Sequence, residues 1–143
     1  MEPDVSSLTE FRAVGFFAAD HAVIESGKVY ASGAYWSVLR FPAFPFVLPA
    51  CAVVAVISVP FHSTGEGEHA FRIALEDADG RAQPIQIDGS FRAGPGPRDG
   101  EPAIVPMAVP LFGLQFSGPG DYSFVLSVAG EEIARYPFHA TSL

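Results

Sequence analysis

The stretch FPAFPFVLPACAVVAVISVPF (residues 41–61) carries no charged side chain, and its reading decides the fold. It is long enough to cross a bilayer as a helix, so a membrane span is the first possibility to settle. Pro42, Pro45, Pro49 and Pro60 interrupt it, each removing an amide donor and blocking the turn before it. Only Ala50 to Val59 is unbroken, and as a helix it would span ~15 Å, about half a hydrocarbon core. Val53, Val54, Val56, Ile57 and Val59 are β-branched, which suits a pleated strand covered on both faces. A buried central strand follows, and no membrane span is expected.

Outward from that strand, short apolar runs alternate with turns. Phe11 to Ala19 reads as a first strand, and Ser26-Gly27 as a tight reversal between Ala22–Glu25 and a strand running from Lys28 to Leu39. Phe71, Ile73 and Leu75 alternate with Arg72 and Glu76, and Asp77-Ala78-Asp79-Gly80 turns the chain into Ile85, Ile87 and Phe91. Residues 93–100 form a loop without periodicity. In the run Val105, Met107, Val109, Leu111, the prolines at 106 and 110 share the opposite face, which places the strand at a sheet edge. Tyr122, Phe124, Leu126 and Val128 point one way and Ser123 and Ser127 the other, before Ala129-Gly130-Glu131 reverses into Ile133 to His139. The sum is about eight strands with one buried face each, which close most simply into two packed sheets. The expected class is all-β, an antiparallel two-sheet β-sandwich of jelly-roll or immunoglobulin-like topology. Residues 1–143 are expected to form one sandwich domain, with 1–9 a flexible lead-in.

Composition agrees and narrows the partners. Apolar residues make up 49% of the chain and charged ones 17%, which excludes intrinsic disorder. The formal net charge is −8, Lys28 is the sole lysine, and the arginines are scattered, so nucleic acid and anionic membranes are not expected partners. The single cysteine, Cys51, forbids an intrachain disulfide and fits a reducing compartment. The acidic N-terminus lacks the basic and apolar regions of an export signal, so a cytoplasmic location is expected.

Three constellations could carry chemistry. Asp20-His21 places a carboxylate beside an imidazole, but strand neighbours point to opposite faces and no nucleophile motif accompanies them. His62, Glu66, Glu68 and His69 could ligate a divalent ion, but their spacing matches no helix-borne signature, and a solvated loop is the preferred reading. Tyr30, Tyr35 and Trp36, followed by Phe41, Phe44 and Phe46 in the proline-rich connector, form an aromatic cluster. In a stiff connector such rings cap the open end of a sandwich or make a recognition surface. In a single strand from Lys28 to Leu39, Tyr35 would face away from Tyr30 and Trp36. No catalytic residue and no cofactor are assigned.

The segments Ala-Asp-His-Ala-Val-Ile-Glu-Ser-Gly-Lys (19–28), Gly-Ala-Tyr-Trp (33–36), Leu-Glu-Asp-Ala-Asp-Gly (75–80) and Gly-Pro-Gly-Asp-Tyr-Ser-Phe (118–124) resemble an uncharacterised bacterial family of small all-β proteins. Its pattern is a Gly-Lys turn, a Gly-rich stretch ending in Trp, and a C-terminal Pro-Gly-x-Tyr hairpin. The resemblance implies a bacterial, cytosolic protein, and brings no activity and no catalytic residues. The functional expectation is therefore a non-enzymatic binding or assembly module that self-associates or binds another protein, using Trp36 and Phe41–Phe46. Two alternatives stand beside it. One is a metal-assisted or histidine-based hydrolase using His21 and the 62–69 loop. The other is a carrier holding a carbohydrate or lipid against Tyr30, Tyr35 and Trp36.

Overall fold

A computed structural model describes residues 10–143, so the expectation of a flexible 1–9 lies outside the described residues. Nine strands follow in order: β1 (Arg12–Glu25), β2 (Lys28–Ala34), β3 (Val38–Phe41), β4 (Phe46–Val59), β5 (Glu68–Asp77), β6 (Ala82–Arg92), β7 (Ala103–Phe116), β8 (Gly120–Val128) and β9 (Glu131–Ser142). They form a four-stranded sheet, β2-β1-β4-β7, and a five-stranded sheet, β3-β9-β8-β5-β6. Among the described residues no helix is long and apolar enough to cross a membrane.

The connections select one of the two expected topologies. Hairpins β5–β6 and β8–β9 lie in one sheet, the chain crosses between sheets at β2–β3, β3–β4, β4–β5, β6–β7 and β7–β8, and β3 pairs parallel with β9. That is the immunoglobulin-like arrangement, whose hallmark is a tyrosine near the start of the strand that follows the last crossing between the sheets. Tyr122 occupies that place, and its hydroxyl donates to the Gly118 carbonyl at 2.6 Å.

β4 is the central strand that residues 41–61 demanded, though it begins at Phe46 and takes Pro49 within it. Gly113, opposite this point on β7, has φ +66, and the ladder keeps one register on both sides of Pro49. Val53, Ala55, Ile57 and Val59 point between the sheets, against Ile73, Leu75, Phe124 and Leu126 of β5 and β8. At one end of this core the rings gather: Phe41 stacks on Phe46 at 4.3 Å, and Phe116, Tyr122, Phe138, Phe124 and Trp36 continue the cluster. The phenylalanine surplus is spent there. β7 takes the edge position that Pro106 and Pro110 require.

Two expectations about the first forty residues are corrected. Phe11–Ala19 and Ala22–Glu25 belong to one strand, β1, with a bulge between Ala13 and Gly15. Lys28–Leu39 is not one strand: β2 ends at Ala34, and β3 begins at Val38 in the other sheet. The break lies at Tyr35, a non-glycine residue at φ +63 whose amide donates to the Ala18 carbonyl at 2.8 Å. Left-handed backbone there rotates the following residues out of the alternation.

Candidate functional site

Register fixes what each face of the four-stranded sheet presents. Opposite the core-facing residues of β4 lie Ala52, Val54 and Val56, whose cross-strand partners are Pro110, Ala108 and Pro106 on β7. On β1, Phe17 and Ala19 sit opposite Val54 and Ala52, and β1 continues this face through His21 and Val23 to Ser32 and Tyr30 of β2. Phe112 stands at one side of this face and Ile104 at another, 69% and 53% exposed. Tyr35 stacks on Phe17 at 4.3 Å and is 64% exposed. Among the described residues, charged side chains occur only at the ends of this face, with Arg12 at one and Glu25–Lys28 at the other. In between, His21 and Ser32 are its polar members, directly opposite each other.

The face is indented. Between the β1–β2 hairpin and the outer residues of β4 and β7 lies a hollow of about 530 Å³, lined by His21, Val23, Ala52, Ala108, Pro110 and Phe112 among others. That volume is in the range of ligand-sized sites. Cys51 also borders it, 4% exposed, with its thiol pushed up to about 12 by burial and, secondarily, by the Asp20 charge. It is a packed thiol and not a nucleophile. Asp20 points to the opposite side from His21, with its carboxylate lying over Gly33. A Cβ at position 33 would sit 2.1 Å from an Asp20 oxygen, and the backbone there has φ +60, so glycine is required.

The aromatic residues singled out by sequence separate into two groups. Tyr30 and Tyr35 are exposed on the outer face. Trp36 is turned between the sheets, edge-on to Phe138 at 5.2 Å, and its carbonyl accepts the Tyr136 hydroxyl. Its Nε1 is buried and has no acceptor among the described residues. Phe41 is buried, and Phe44 and Phe46 pack around it at 5.8 and 4.3 Å. The connector thus closes the end of the core. A hollow of about 360 Å³ beside it is lined by Pro45, Phe46, Gln83, Gln115 and Phe116.

The 62–69 loop does not converge. His69 donates through Nε2 to the Ser63 carbonyl at 3.1 Å, with its ring against Phe11 and Phe91. Glu68 faces Arg92 at 3.7 Å, while His62 and Glu66 are exposed. Among the described residues no three His, Cys, Asp or Glu side chains gather as a metal site would require.

Sequence reasoning did not single out Phe112, Ile104 or the Ala52–Val54–Val56 row as a surface. The available signal was that residues 52–57 are apolar at both parities, so that neither face of β4 could be a polar one.

A family model described as a family of unknown function (DUF6941) matches residues 15–141, and the chain belongs to that family. No curated protein matches it. Among solved structures, a Pseudomonas fluorescens alkylpurine DNA glycosylase AlkC, bound to DNA containing an abasic site analog, is similar over 96% of this chain and 33% of its own. The TM-score is 0.52 and the identity 10%, a likeness of fold alone. A β-glucosidase from Listeria innocua in complex with isofagomine matches at TM-score 0.45 and 10% identity, over 92% of this chain and 16% of its own. The chain spans a third or less of either.

Proposed function

We propose that this member of a family of unknown function is a non-enzymatic assembly module whose copies pack together through the outer face of the four-stranded sheet. The observation that carries the reading is the absence of charge between the ends of that face, on a chain of net charge −8. Two such molecules repel each other in most orientations. This face lets them approach without opposing charges, and it offers Tyr30, Tyr35, Phe112, Ile104 and Val14 for burial. With roughly 3.3 Å per residue, about ten residues of β1, and roughly 4.8 Å between strands, the face measures about 600 Å². Face-to-face packing of sheets is also how the molecule builds its own interior.

The arrangement supports an assembly role over hydrolysis, because His21 lies on the outer face while His62, Glu66, Glu68 and His69 occupy a separate, unconverged loop. An unpaired, buried Cys51 fits a reducing bacterial cytoplasm. Native mass spectrometry with light scattering tests the proposal. The protein should associate, and Phe112→Asp should weaken association at least tenfold without unfolding the chain. A wild-type protein that stays monomeric at high micromolar concentration overturns it. The 530 Å³ hollow favours one second reading, a carrier for an apolar ligand such as an acyl chain. Its signature is an extra organic mass on a monomer.

A further inference from the structure

The two sheets have four edges, β2, β7, β3 and β6, and three of them carry devices against pairing. On β7, Pro106 and Pro110 sit in a continuous ladder with β4, so the amide donors they lack are missing from the free side. On β6, Asp88 and Arg92 flank the strand, Asp88 held by Arg72 at 2.7 Å. β3 is only four residues long and carries Arg40. β2 is blunted only by Lys28 at its hairpin end and by the left-handed Gly33 near its other end. Its seven residues, Lys-Val-Tyr-Ala-Ser-Gly-Ala, contain no proline, and all but Val29 are exposed. Among the described residues no strand pairs with its outer side.

We propose that β2 pairs antiparallel with β2 of a second copy of this chain, joining two four-stranded sheets into one of eight. The strand is self-complementary about Ala31. Lys28 falls opposite Ala34, Val29 opposite Gly33, and Tyr30 opposite Ser32, so no like charges meet. On a molecule of net charge −8, the only formal charge on this strand is positive, and the edge is a point of low repulsion. The two-fold axis stands perpendicular to the sheet, which turns both outer faces to the same side and doubles the apolar surface. The contact is made by backbone groups at the edge. It is therefore separate from the face contact and survives its loss.

Native mass spectrometry of four full-length proteins separates the two contacts. Wild type should be a tetramer, Phe112→Asp a dimer, Ala31→Lys a dimer, and the combination a monomer. Ala31 is exposed, so the lysine is accommodated in the monomer, but in the paired strands two cations would face each other. Hydrogen exchange of the Phe112→Asp protein adds a readout free of strand substitutions. Amides 28–34 should gain at least tenfold protection as concentration rises, while those of β6 stay unchanged. A monomeric Phe112→Asp protein, or a dimer without protection at 28–34, overturns the edge pairing and leaves the face reading standing. Wild-type mass for Phe112→Asp together with a monomeric Ala31→Lys supports the edge and sinks the face reading.

Discussion

The two outward faces of this sandwich are built by opposite rules. On the five-stranded sheet, Arg72–Asp88, Arg92–Glu68, Arg135–Glu76 and Arg135–Glu132 tile the surface with ion pairs between 2.7 and 3.7 Å, and His139 hydrogen-bonds Asp121. On the four-stranded sheet the equivalent surface is alanine, valine, proline and aromatic rings. A face designed for water is cheap to make polar in an antiparallel sheet. The exposed members of the apolar face, Tyr30, Tyr35, Ile104 and Phe112, are what the proposed contact would cover.

Substitutions can break or sharpen that contrast. The largest effect is expected from a carboxylate placed on each face. Val54→Asp, on the four-stranded sheet, should destabilise the fold by about 3 kcal/mol or more, because Val54 is fully covered and the charge has no partner. Ser90→Asp, exposed on the five-stranded sheet, should stay within about 0.5 kcal/mol. Equal shifts in the urea midpoint would erase the distinction. Tyr122→Phe belongs to neither face and removes only the bond to Gly118, so it should cost about 1 kcal/mol in thermal melting while leaving association unchanged. Salt should act differently on the two functions of the surface. Screening the −8 charge should tighten self-association a few-fold between low and moderate ionic strength, as sedimentation would show.

The smallest effect concerns acid. The Arg72 hydrogen bond, with Gln86 second, holds the Asp88 carboxyl below its ordinary range. Its contribution to stability is therefore present above about pH 3.9, the usual value in an unfolded chain, and fades as pH falls through the lower folded value. Asp88→Asn should flatten that part of the pH-stability curve and leave association untouched.

Much of this architecture is legible in local sequence, and the failures share a cause. Residues 71–75, 85–91 and 122–128 alternate cleanly because one side of each strand meets ion pairs or hydroxyls and the other the core. The four-stranded sheet offers no such contrast, so the faces of β1 and β4 could not be told apart, while the prolines of β7 still marked its face and its edge position. Tyr35 adopts a left-handed conformation without a glycine or proline to announce it, and the break in strand 28–39 went unseen. That single dihedral decides the aromatic cluster, sending Trp36 inward while Tyr35 stays out. The pairing of β3 with β9 joins residues a hundred positions apart and has no local signature. The metal-like spacing at 62–69 was visible too, but whether its side chains converge depends on rings at Phe11 and Phe91 that spacing alone does not reveal.

The parallel ladder of β3 and β9 has a mechanical consequence. Val38 to Phe41 runs beside His139 to Ser142, and the bonds from the His139 amide to Ser37 and from Leu143 to Phe41 extend it at both ends. A pull that draws Ser37 and Leu143 apart along the strand axis loads these bonds together, in shear. A pull that opens the β1–β2 hairpin from its tip breaks bonds one at a time. The molecule is thus stiff along one line of traction and yielding along another, which force spectroscopy with handles at 37 and 143 would register as a high, single rupture.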